Sequence, residues 1–325
     1  MKRINFIFVF CLISQIIVSQ ETLPIYSDYL SDNIFLVHPS AAGIGNCGKL
    51  RITSRQQFLG VKDAPSLQTL SFHNKISEKA AIGAIIYNEK NGFHSNTGFE
   101  AAYAYHLNFG TYYALNQLSF GLSFLYLQNK FDQRSFTSVI PDPAISQTIE
   151  STNYYNFDFS VAYHFLDAFS YFTIKNILLT PRKFIDTKFE TLNLRRYLLT
   201  FGYYLNRNNS FQLEPSIMGQ LIERTGELFF DFNLKVFKKI KNKHQIWAAV
   251  SYRKNFEPNN IEKFKQISTI LGINYKRYMV SYTYSYQLTS VTINNGASHQ
   301  LTLGINLFCK KPRASGCPNI NSLYY

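Results

Sequence analysis

Between residues 298 and 308 the chain reads SHQLTLGINLF, and from Leu301 onward Leu301, Leu303, Ile305 and Leu307 take every second position. Gln300, Thr302, Gly304 and Asn306 fill the places between. A strand sends successive side chains to opposite faces, so this stretch carries one oily face and one polar face. The same period recurs along the chain. Leu118, Phe120, Leu122, Phe124 and Tyr126 alternate with Ser119, Gly121 and Ser123, and Tyr155 to Phe165 alternate with Asn156, Asp158, Ser160, Ala162 and His164. In the stretch from Leu228 to Val236 the polar places hold Asp231, Asn233 and Lys235. No stretch shows a convincing helical period.

Marking each run of this kind predicts strands over 48–59, 65–74, 79–87, 95–107, 116–128, 152–165, 168–175, 194–206, 210–220, 227–237, 244–254, 265–275, 277–287 and 298–308. That is about fourteen, each near or above the roughly 9–11 residues that a tilted membrane-crossing strand needs. The connections sort by parity. Even ones (75–78, 164–167, 206–209, 238–243, 276–277) are brief, whereas odd ones include the longest (129–151, 176–193, 255–264, 288–297). Outer-membrane barrels segregate their loops in this way, and a soluble sandwich has no reason to. The expected fold is an all-β transmembrane antiparallel barrel of about fourteen strands with long extracellular loops and short periplasmic turns. Its apolar face meets lipid. A ring of that size is too wide for wall side chains alone to fill, so the polar face, with Asp158, Asp231, Asn233, Lys235 and Gln300, lines a lumen holding water, a plug or a partner.

Composition agrees with alternation. The chain has 23 Tyr and 29 Phe in 325 residues, yet its mean hydropathy is only −0.13. At the amino end Lys2 and Arg3 precede an apolar run, Ile4 to Val18, followed by the small residue Ser19. This reads as a secretory signal (1–19) with the mature chain starting near Gln20, since the run falls short of the roughly 20 residues of a spanning helix. The expected organisation is then a periplasmic segment over 20–46, the barrel over 47–308 and a periplasmic tail over 309–325. Removing Lys2 and Arg3 lowers the formal charge from +13 to +11. That balance fits anionic lipid or an acidic partner; nucleic acid is not expected for an exported chain that carries no recognition motif.

Signals for chemistry are poor. The seven His residues lack zinc-site spacing, and no GxSxG, P-loop or GxGxxG occurs, so neither metal nor cofactor is expected. Ser160 and His164 share a face, which leaves a hydrolase as a minor reading, because geometry rather than spacing makes a triad. Three cysteines follow the signal: Cys47, Cys309 and Cys317. Nearness in sequence favours a tail loop, Cys309–Cys317. Barrel closure offers the alternative of Cys47 with either, because the first and last strands then lie side by side.

The segments DYLSDNIFLVHPSAAG (28–43) and RQQFLGVKDAPSLQTLSFHNKI (55–76) resemble the amino-terminal signature of the PorP/SprF family of the type IX secretion system of Bacteroidota. AYAYHL (102–107), NLRRYL (193–198), WAAVSYRKNF (247–256), YTYSYQ (282–287) and HQLTLGINLF (299–308) resemble that family's later strands in order. Where many members read NPAYAG, this chain has His38-Pro39-Ser40-Ala41-Ala42-Gly43. The resemblance implies an outer-membrane, non-enzymatic barrel that helps deliver secreted cargo proteins with carboxy-terminal secretion signals to the cell surface, alongside periplasmic ring components. A large gliding-motility adhesin is one such cargo. The basic loop with Arg182, Lys183 and Lys188 falls outside the cell by parity and is a candidate cargo or partner contact, with an ordinary solvated loop as the other reading. The competing class is a channel or transport barrel for small solutes.

Overall fold

The computed structural model describes residues 29–45, 47–109, 116–134, 148–179, 194–205, 210–241, 244–256, 265–288 and 297–309. Fourteen strands form one closed antiparallel barrel. They are β1 (Gly48–Gln57), β2 (Ser66–Lys75), β3 (Ala80–Asn91), β4 (His94–Asn108), β5 (Asn116–Asp132), β6 (Ile149–Phe165) and β7 (Ala168–Lys175). The second half holds β8 (Arg196–Tyr203), β9 (Phe211–Ile222), β10 (Leu228–Lys241), β11 (His244–Asn255), β12 (Lys265–Tyr275), β13 (Tyr278–Gln287) and β14 (Ala297–Leu307). Each pairs with its neighbour in sequence, and β1 closes on β14 from Gly48↔Leu307 to Gln57↔Ser298. Closure leaves no unpaired edge, which a lipid environment forbids.

The oily face of the last strand points outward. Leu301 and Leu303 are 47% and 46% exposed, whereas Gln300 and Thr302 are 2% and 0%. Ile52, Leu122, Val250 and Leu271 are exposed likewise around the ring, and Tyr105, Phe165, Tyr203, Tyr275 and Tyr278 mark its periplasmic boundary as an aromatic girdle. Four strands run well past the expected ends: β3 reaches Asn91, β5 reaches Asp132, β6 starts at Ile149 and β10 reaches Lys241. In the β5–β6 extension the ladder continues through Asn129↔Thr152 and Lys130↔Ser151. At these two rungs both faces are polar, and the two beyond them, Phe131↔Glu150 and Asp132↔Ile149, each set an apolar residue against a charged one, so the pairing persists where the hydrophobic period has stopped. The longest connections, 133–148 and 176–195, fall on the odd, extracellular side, which also has tight turns at 92–93 and 223–227.

Two expectations are corrected. Cys47 is bonded to Cys309, so the tail loop Cys309–Cys317 does not form; Cys317 itself lies outside the described residues. Closure decides this, since the two strands that these cysteines flank become neighbours only once the ring shuts. Residues 29–45, expected in the periplasm as part of 20–46, instead sit inside the barrel. Their polar groups pair with the wall and their apolar groups fill hollows in it.

Candidate functional site: a plugged lumen

The segment 29–45 carries two short 3-10 turns, Ile34–Leu36 and Pro39–Ala41. Its shape follows from residues that favour turns: Asp32 and Gly43 take φ of 60° and 70°, a left-handed backbone that Asp tolerates and Gly adopts freely. This plug has two apolar sides. Phe35, Leu36, Ala41 and Ala42 pack against Ala81, Ile85, Ala102, Ala104 and Ala162 of β3, β4 and β6. Tyr29, Leu30 and Val37 pack against Leu198, Met218, Phe237, Trp247 and Ile270 across the bore. Small residues hollow the first wall. A Cβ at Gly121 would collide with the backbone of Pro39 and Ser40, so the glycine lets the main chain of the plug rest against the main chain of β5.

Polar groups on the plug then meet partners on widely spaced strands. Asn33 donates to Ser71 on β2 at 2.8 Å, and Asn233 on β10 donates to the Tyr29 hydroxyl at 2.6 Å. His38 bridges Thr173 on β7 (2.6 Å) and Thr200 on β8 (2.9 Å), while Ser40 meets Ser160 on β6 at 2.7 Å. The Gly43 amide donates to His73 Nδ1 at 3.0 Å. His106 Nε2 donates to the Ala42 carbonyl at 3.0 Å, which leaves its Nδ1 to accept from Ser119. A buried polar group is costly unless paired, and these pairs let a polar segment cross a closed interior.

One ionic latch joins the set. Asp32 accepts from Arg51 at 2.9 Å and from Lys49 at 3.2 Å, both on β1, with side-chain exposures of 7%, 1% and 12% for Asp32, Arg51 and Lys49. Burial opposes ionisation of Asp32, but the two cations outweigh it and hold its carboxyl well below the usual range. His38 responds the other way to its surroundings. Burial first, and the charge of Lys175 second, push its ring well below its ordinary value of 6.5, so it is neutral between its two threonines.

Asp158, Asp231, Asn233 and Lys235 all lie on the inner wall and are buried. Asp158 pairs with Lys175 at 3.2 Å, and Asp231 takes a two-pronged contact from Arg253, the second prong at 2.7 Å. Asn233 reaches the plug through Tyr29, and the Lys235 ammonium lies over Trp247 and Phe237. Arg182, Lys183 and Lys188 fall outside the described residues. Ser160 and His164 do not pair with each other: Ser160 bonds to Ser40 and Thr173, and His164 Nε2 meets the Tyr171 hydroxyl. Among the described residues no group of His, Cys, Asp and Glu has the arrangement to hold a metal ion. Sequence reasoning missed Asp32, Asn33, His38 and Ser40 because they carry no strand period; the run of small residues Ser40-Ala41-Ala42-Gly43 was the signal for close packing.

Residues 18–305 match the family model described as "Type IX secretion system membrane protein PorP/SprF". No curated protein matches the chain in sequence. Among solved structures, a Pseudomonas aeruginosa FadL homologue is 10% identical, with 84% of this chain and 93% of that one covered at a TM-score of 0.51. The TodX monoaromatic hydrocarbon channel is 7% identical over 84% and 93% at 0.49. The translocator domain of the autotransporter NalP from Neisseria meningitidis is 11% identical over 87% and 95% at 0.37. At 10% identity the likeness to the FadL homologue concerns the barrel fold alone.

Proposed function

Because the chain belongs to the PorP/SprF family of type IX secretion system membrane proteins, we propose that it is a non-enzymatic outer-membrane component that helps secrete or attach cargo proteins at the cell surface. The cargo is a protein with a carboxy-terminal secretion signal, such as a large gliding-motility adhesin, and the periplasmic ring components of the machine are its other partners. Residues 1–19 direct export of the barrel and are removed in the course of it.

The observation that supports this reading over a solute channel is the filled bore. Residues 29–45 bond to β1, β2, β4, β6, β7, β8 and β10 and pack on both walls. A wall occupied at this many points is suited to holding a rigid rim in place, with cargo engaged there by extracellular loops such as that of Arg182, Lys183 and Lys188. Deleting the gene and weighing the proteins of culture fluid and cell surface by quantitative mass spectrometry tests it. Loss of one large secreted protein is expected. An unchanged protein inventory with altered uptake of small solutes would replace this reading with the channel.

A further inference from the structure

On the periplasmic side the plug leaves a cavity of about 70 Å3. Lys49, His164 and Phe169 line it, and each sits within two residues of the periplasmic end of its strand, so the cavity faces that compartment. Asp32, Tyr204 and Lys235 complete the part of the lining that matters here.

Charge in this cluster does not balance. Asp32 is held by Lys49 and Arg51. Lys235 is only 4% exposed, with its ammonium 4.3 Å from the Trp247 ring centre and 4.9 Å from that of Phe237. Among the described residues no carboxylate lies within ion-pair distance of it. Glu214, its cross-strand neighbour, and Asp32 act on it through space. Three cations, Lys49, Arg51 and Lys235, therefore face two carboxylates, Asp32 and Glu214. An ammonium offers three donors, and ring faces satisfy its charge without accepting hydrogen bonds of ordinary strength. His164 adds a second incomplete group: its Nδ1 is buried without a partner.

We propose that this cavity binds a carboxylate arriving from the periplasm, its oxygens on the Lys235 ammonium and its first carbons against Phe169 and Tyr204. The volume suits a carboxylate group with the start of its chain, so the rest of a longer ligand lies in the mouth. A small organic acid and the free carboxy terminus of a peptide present the same group. This site does not rest on the secretion role.

The protein supplies its own reporter, because Trp247 is the single tryptophan and touches Lys235. The full-length barrel in detergent is titrated with propionate against propanol, and with a short apolar peptide as free acid against its amide, following Trp247 emission and heat by calorimetry. A saturable response to an acid and none to its neutral twin is expected, weaker by about tenfold or more in Lys235→Met and kept in Lys235→Arg, since charge-assisted bonds carry the contact. Heat-modifiable gel migration checks that both variants fold. A response to propionate identifies a small acid; one confined to the peptide acid identifies a chain terminus. No saturable response to either acid, equal responses to acids and neutral twins, or unweakened binding in a folded Lys235→Met barrel would overturn the proposal.

Discussion

Replacing Asp32 by Asn removes one charge from the latch and little else, because Asn tolerates the same left-handed backbone (φ 60°) and keeps one acceptor oxygen. Arg51 and Lys49, 1% and 12% exposed, are then left buried beside a neutral amide. Breaking a buried pair by removing one partner costs about 3–5 kcal/mol, and the retained acceptor places Asp32→Asn near the lower figure. At about 1.4 kcal/mol per decade, 3 kcal/mol multiplies the undocked population roughly 150-fold. The assay is conductance in planar bilayers at neutral pH, paired with protease cleavage of the amino-terminal segment in the folded barrel. Wild-type barrels are expected to stay closed with rare openings, and Asp32→Asn barrels to open often and lose their plug to protease. Adding Lys49→Met removes one stranded cation and should restore part of the closure. If Asp32→Asn is as quiet and as protease-resistant as wild type, the latch does not hold the plug and the reasoning fails.

Gly121→Val forces the wall into the Pro39–Ser40 backbone; overpacking costs about 1–3 kcal/mol, so the plug should become cleavable while heat-modifiable migration shows an intact barrel. Acid should also loosen the plug through His38. Its docked pKa lies below the undocked value of 6.5, so above that value both states are neutral and docking is unaffected; as pH falls below 6.5 the undocked ring takes up the proton and docking weakens by at most about 1.4 kcal/mol per pH unit. Cleavage measured from pH 7.5 to pH 5 should rise in wild type and stay flatter in His38→Gln. A rise of equal steepness in the variant would assign the effect to another group.

Strand positions were legible because a barrel wall writes itself continuously into sequence. Leu118 to Tyr126 and Leu301 to Leu307 each face lipid without interruption, and a single strand suffices to show the period. The extended ends of β3, β5, β6 and β10 were not, because beyond the membrane neither face has to be apolar. The plug escaped for a different reason. Asn33, His38 and Ser40 look like solvated loop residues, and only the three-dimensional ring supplies Ser71, Thr173, Thr200 and Ser160 to meet them. Cysteine pairing was half legible: nearness along the chain favoured Cys317 for Cys309, whereas the alternative that closure offered, Cys47, is the partner it takes at a sequence separation of 262.

The bond between Cys47 and Cys309 stands where the plug turns into β1, at the same end as the Gly48↔Leu307 pair. A pull on the amino terminus therefore arrives at a stitched corner. Without the stitch, such a load would peel β1 from β14 rung by rung, the weakest way to open a ladder of hydrogen bonds. With it, tension passes into two staves together, and what resists is their outer pairings, eight to β2 and nine to β13, all loaded in shear at once. The plug can be drawn out of this cask without unzipping its side.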